Sequence, residues 1–237
     1  MCIRDSSIPN ANSSIAIDVD NWTDFESNIT SGNDVTITGP ITQTGSPPIP
    51  SVNVTGNVKI NGGTNTITGA TGASQAPSML NVSGGGTLTI EGGKYTGTNG
   101  DKGGVVSIKQ GGTLNIGQNS STEKVEFTGN TANLGGAIYN EGNAQISNAV
   151  FENNEATNTN ISTDGRGGAI FNSIDAEMTI SDSTFTNNTA DNWGGAIYNE
   201  GSLTNVVNST FTGNQAQHNL SLIHISEPRD RSLSRMP

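Results

Sequence analysis

The phrase Phe-x-x-Asn-x-Ala occurs four times, and a second phrase, Gly-Gly-Ala-Ile, separates consecutive copies. The first begins at Phe127, Phe151, Phe185 and Phe211, with Asn130, Asn154, Asn188 and Asn214 three residues on and Ala132, Ala156, Ala190 and Ala216 closing it. The second runs Gly135 to Asn140, Gly167 to Asn172 and Gly194 to Asn199. Self-similarity at a spacing of 24, 34 and 26 residues between aromatics marks a stacked-repeat architecture, in which each repeat buries its apolar face only against its neighbours.

Aligning backward from each aromatic lengthens the phrase. Ile146-Ser-Asn148-Ala-Val-Phe151 matches Ile180-Ser-Asp182-Ser-Thr-Phe185 and Val206-Val-Asn208-Ser-Thr-Phe211, and Ile90-Glu-Gly92-Gly-Lys-Tyr95 is a looser copy followed by Gly103-Gly104-Val105-Val106. Ile67 to Ala70 and Ser78 to Asn81 read as decayed versions of the two phrases. The candidate strands are short, β-branched and bounded by Gly, Asn and Asp, and no stretch carries a 3.6-residue apolar period. The expectation is an all-β, right-handed parallel β-helix with three short strands per coil and essentially no helix. Strands stacked at ~4.8 Å suggest seven or eight coils.

Each recurring residue has a role in that fold. The four Phe side chains form an internal aromatic stack, and Ile138, Ile170 and Ile197 line a second inner wall. The alanines sit where the coil narrows. The four asparagines suit turns, because Asn tolerates the left-handed region, and stacked in register their amides can bond from coil to coil. The paired glycines permit positive φ at the corner before the second strand.

The two ends stand outside this pattern. Met1 to Ser6 and Leu220 to Pro228 read as translations of DNA strings that are reverse complements over their shared part and resemble a transposase adapter. Segments 1–6 and 220–237 are accordingly set aside as sequencing-adapter artefacts. Residues 7–89 form an irregular leading segment with early coils, and 90–219 the regular coils. Pro47, Pro48 and Pro50 mark a loop, and 157–166 is an insertion at one corner.

Removing the end segments takes away the single cysteine, Cys2, together with His224, three acids and four bases. Residues 7–219 then hold 18 acids and 6 bases. Such a balance opposes nucleic acid, whose binding depends on clustered Lys and Arg. No run approaches the ~18 apolar residues of a membrane span, so this segment is not expected to insert in a membrane directly. A cysteine-free segment excludes disulfide staples and cysteine-ligated zinc.

The alternation of Phe-x-x-Asn with Gly-Gly-Ala-Ile resembles the passenger repeats of the polymorphic outer membrane protein family of autotransporters, well over 127–214 and loosely over 90–126. The resemblance implies export, surface display and adhesion. The protein would be extracellular or held at the outer membrane through a region outside this sequence.

β-Helices also include polysaccharide lyases and hydrolases, so a carbohydrate-active enzyme is the alternative. That chemistry needs acidic side chains, or acids with a base, converging on one coil face. The sequence offers no Asp-Asp pair, no Asn-Thr-Asp and no Gly-His-Gly over 7–219. Asp18, Asp20 and Asp24 match no calcium loop and read as structural turn acids. No catalytic residue, metal or cofactor is expected.

Two columns remain as binding candidates. Side chains alternate along a strand, so if Ile138, Ile170 and Ile197 point inward, Tyr139, Phe171 and Tyr198 point outward, as an exposed aromatic stripe. The residue before each Gly-Gly pair varies among Lys102, Leu134, Arg166 and Trp193, which places Arg166 and Trp193 at the neighbouring corner. The expected partner is a glycan or protein on a host or neighbouring cell, met by a non-catalytic adhesin-like or structural scaffold.

Overall fold

The computed structural model describes residues 17–44, 50–70, 77–118, 123–157 and 164–218, with the main chain of 223–225. The insertion is therefore described only at its edges, and the proline cluster only at Pro50. The chain winds as a parallel β-solenoid of about six turns, its strands gathered into sheets of 13, 5 and 7 strands. Turns are fewer than the seven or eight expected, the leading segment including a helix, Trp22–Thr30, that winds no coil.

One regular coil shows how the phrases become structure. Asn143–Ser147 is the Ile-Ser strand, and Ala149–Glu152 carries Phe151. Both belong to the 13-stranded sheet, with a bend at Asn148 (φ 48°) between them. Glu155–Ala156 then enters the five-stranded sheet, and the Gly-Gly corner leads into Ile170–Asn172 of the seven-stranded sheet. The coil is three-sided as expected but has four strands. The extra one is the short Ala strand, hidden in the sequence by its two-residue length.

Main-chain pairing runs from coil to coil in parallel register, with shifts only between Asn61 and Thr66 and after Met178, so like side chains stack. Leu88, Leu114, Ala144 and Met178 form one inner column; Ile60, Ile90, Ile116, Ile146 and Ile180 form another. The aromatic column runs Ile41, Ile67, Tyr95, Phe127, Phe151, Phe185, Phe211. Ile67 and Leu80 thus hold the places that the decayed phrases assign them, Leu80 lying opposite Val106. Ring centroids from Phe127 to Phe211 are 4.9, 4.7 and 4.7 Å apart and nearly coplanar. Such contacts contribute ~0.5–1.5 kcal/mol per pair beyond area burial.

The asparagines do more than turn the chain. Asn130, Asn154 and Asn188 each donate Nδ2 to Oδ1 of the next, the last to Asn214, at 3.0, 2.9 and 2.8 Å. The same Oδ1 atoms accept the main-chain N–H of the preceding asparagine at 3.1, 3.0 and 2.9 Å. The second Nδ2 hydrogens of Asn130, Asn154 and Asn188 go to the carbonyls of Tyr95, Phe127 and Phe151, and Asn214 Nδ2 donates to that of Phe185. The amides of Asn130, Asn154 and Asn188 are buried and fully engaged, as burial requires. A second ladder links Asn140, Asn172 and Asn199 at 2.7 Å per step. The left-handed conformation expected of the first ladder falls one residue earlier, on Gly129, Asn153, Asn187 and Gly213. The ladder amides themselves are held inward by their bonds.

The glycine pair divides its labour. Gly135, Gly167 and Gly194 carry φ between 62° and 68°. A Cβ on the second glycine would strike the next coil's backbone, at Gly136 the carbonyl oxygen of Gly168.

Among the described residues one short helix accompanies the strands, in keeping with an all-β chain of very little helix. Trp22–Thr30 starts at Asn21, whose side chain accepts the Asp24 N–H at 2.9 Å as an N-cap. It buries Trp22, Phe25 and Ile29 against the early strands. At the other end the outermost strands, Ser202–Val207 and Thr210–Thr212, leave Val206 36% and Val207 40% exposed. Within the segment read as adapter-derived, Ile223–Ile225 pairs in parallel with Ile197–Asn199. That pairing uses main-chain groups, which any sequence supplies, so it is silent on the segment's origin.

Candidate functional site

The seven-stranded sheet presents Ile138, Ile170 and Ile197 to the main core and turns the next residue outward. Tyr139, Phe171 and Tyr198 therefore stack in register on the outer face, with centroids 5.2 Å apart at both steps. Their direction agrees with the alternation, but their exposure does not. The three rings are only 4%, 3% and 5% exposed and form a small cluster of their own, separate from the main core. The expected exposed stripe is a covered one.

The cover comes from the corner position. Lys102, Leu134, Arg166 and Trp193 occupy equivalent places in successive coils, joined by parallel bridges. The Gly-Gly turn that follows folds each of these side chains back over the rings. Lys102 Nζ lies 4.9 Å from the Tyr139 centroid. The Arg166 guanidinium lies 4.5 Å from the Trp193 ring and 5.3 Å from Tyr198. Trp193 stands 6.2 Å from Tyr198, and Leu134 packs on the same cluster. Cations over aromatic faces are held by the ring quadrupole, which makes this row a roof.

The far edge of the column is polar. The Tyr139 hydroxyl donates to Glu141 Oε1 at 3.0 Å, and Tyr198 to Glu200 Oε1 at 3.1 Å. Arg166 reaches across to Glu200 at 3.4 Å, and Lys109 to Glu141 at 3.5 Å. Burial, followed by the nearby Glu200 charge, pushes the Tyr198 phenol up to about 12. Burial and Glu141 raise Tyr139 likewise. Both phenols are neutral donors at physiological pH.

The structure thus brings all five sequence candidates together in one cluster but divides their roles. Tyr139, Phe171 and Tyr198 are packing; Arg166 and Trp193, with Lys102 and Leu134, form the partly buried layer that covers them. The glutamates were missed, although the recurring Tyr-Asn-Glu-Gly at 139–142 and 198–201 was the available signal. Elsewhere, Asp20 and Asp24 each accept from Asn21 Nδ2 at the helix start, at 3.1 and 2.7 Å. They act as turn acids there.

Among the described residues, a carboxylate-and-base grouping occurs where Asp34, Lys59 and Glu91 meet on the outer face of the 13-stranded sheet. Lys59 Nζ is ion-paired to Glu91 at 2.7 Å, and Asp34 accepts the Lys59 main-chain N–H at 2.8 Å. Both carboxylates are engaged in holding Lys59, which suits binding better than proton transfer. Among the described residues, no helix is long and apolar enough to cross a membrane, which leaves β-barrels unaddressed.

A family model for the Chlamydia polymorphic membrane protein (Chlamydia_PMP) repeat matches residues 124–141 and 182–200. No curated protein and no solved structure gives a significant match to the chain. The matched stretches contain the inner aromatics Phe127 and Phe185, the ladder residues Asn130 and Asn188, and two of the Gly-Gly corners. These are the residues that stack from coil to coil, so the two matched stretches are similar to the Chlamydia polymorphic membrane protein repeat and are wound here into a parallel β-solenoid.

Proposed function

We propose that this chain is a non-catalytic, adhesin-like passenger segment whose contacts with a surface glycan or protein are made by the roof row Lys102, Leu134, Arg166 and Trp193. The observation that carries the reading is the contrast between a recurring scaffold and a variable roof. Around the last three corners the glycines, Ile and Asn repeat, with Val106 and Ile108 at the Ile and Asn places of the first, while the partly buried position before each Gly-Gly pair runs through a cation, an aliphatic, a second cation and an indole. Stacked at ~4.8 Å per step, these side chains present a linear pattern of charge and apolar surface on a rigid base. Arg and Trp are over-represented among residues that dominate binding energy. With a net charge of −11, the chain favours neutral or cationic partners over polyanions.

The test is an Arg166→Gln/Trp193→Ser variant assayed for binding to cultured cells and to glycan and protein arrays. Binding should fall at least tenfold while circular dichroism and the melting curve stay close to those of the parent. Undiminished binding by the folded variant would place recognition elsewhere.

A further inference from the structure

A second surface stands apart from the roof. On the outer face of the 13-stranded sheet, Asp34, Asn57, Val58, Lys59, Thr87 and Thr89 line an open groove of about 240 Å³. The parallel register extends the groove's two outward rows along the solenoid axis. One row reads Asn57, Thr87, Thr113, Asn143, and the other Lys59, Thr89, Asn115, Gln145. Of these eight positions Lys59 alone is ionic. Its charge is matched at 2.7 Å by Glu91, whose side chain is only 10% exposed. Seven hydroxyl and amide side chains therefore face solvent in a two-column grid, about 4.8 Å between strands and about 6.6 Å along each strand.

We infer that this groove is a binding site for a linear, neutral, β-1,4-linked polysaccharide laid along the solenoid axis. The charge pattern selects the class. A uronate or sulfated chain would meet the Asp34 carboxylate in a groove whose one cation, Lys59, is already paired with Glu91, whereas a neutral chain meets no such repulsion. The spacing selects the orientation. One step of the ladder is close to the length of one pyranose unit in an extended chain, so successive sugars meet successive Thr or Asn pairs. Hydroxyl and amide groups can donate and accept, as sugar hydroxyls do. Glu91 takes one of the three Lys59 ammonium hydrogens and holds the group in place, leaving donors for a ligand. Asp34 fixes the same residue through its main chain. The site is independent of the roof row.

The test titrates the full chain with cellohexaose and chitohexaose, and with hexagalacturonate as charged control, by calorimetry and saturation-transfer NMR. A Thr87→Val/Thr89→Val variant removes two hydroxyls while keeping β-branched shape and strand preference. At least one neutral hexasaccharide should bind. The double variant should weaken it about tenfold or more, as the loss of two hydrogen bonds implies. Trp193→Ser should leave it unchanged, which separates this site from the roof. The inference is overturned if the folded chain binds neither neutral probe, if it prefers hexagalacturonate, or if the valine variant binds as the parent does.

Discussion

Two aromatic columns run along this solenoid, one inside the coil and one on its outer face, and they were built by the same rule. Each repeats one position per turn in register. The inner column, Phe127 to Phe211, is tied into the main core, with near-parallel rings and the Asn130–Asn214 ladder bonded to its carbonyls. The outer column is buried nearly as deeply but by a few side chains at one corner, themselves only partly buried. Burial that depends on a thin cover is cheaper to lose than burial inside a closed coil. The comparison teaches that alternation along a strand gives direction, whereas exposure depends on what neighbouring elements fold over it.

Substitutions can break this comparison in order of severity. Phe151→Ala and Phe185→Ala should each cost ~3–5 kcal/mol, because a closed stack between rings above and below cannot collapse. Denaturant titration measures this, and a loss below about 1 kcal/mol would place these rings at the surface. Asn154→Ala should cost ~2–3 kcal/mol. It strips an acceptor from the Asn130 N–H and side chain and a donor from the Phe127 carbonyl, leaving buried groups unpaired. Phe171→Ala should cost about 2 kcal/mol or somewhat more, below Phe151→Ala, since Leu134 and Arg166 can settle into the space. A loss equal to that of Phe151→Ala would make the two columns equivalent. Trp193→Ala, at the partly buried roof, should cost ~1 kcal/mol or less. A larger loss would show the roof to be part of the fold rather than a surface.

Much of this was written in the sequence because the solenoid repeats its physics. Phe151 and Phe185 had to be inside, since the phrase around them supplies the Asn and Ala that close the same turn. The Gly-Gly corner was legible from its chemistry alone. The helix at Trp22–Thr30 was not, because nine residues give only Trp22, Phe25 and Ile29 as an apolar face, too few to establish a period. The sharing of one sheet by the Ile-Ser and Phe strands was hidden as well, since it follows from the bend at Asn148, Asp182 and Asn208. The burial of Tyr139 and Tyr198 depends on where Lys102 and Arg166 fall, which only the three-dimensional register supplies.

Tyrosine ionisation tests the covered outer column most directly. The chain contains three tyrosines, Tyr95 in the inner column and Tyr139 and Tyr198 in the outer one. Burial raises all three phenols above their usual value, Tyr198 to about 12. A phenol whose folded pKa is raised stays protonated while the unfolded chain, titrating near ~10, loses its proton. The stability it contributes is thus intact below pH ~10 and falls away as pH rises toward the folded value. Absorbance at the phenolate band, recorded with circular dichroism, should show almost no ionisation through pH ~10. Phenolate should then appear at higher pH together with loss of the β signal. Two phenols titrating reversibly near pH ~10 in a chain that keeps its β signal would mean that Tyr139 and Tyr198 are exposed, and would contradict the roofed column.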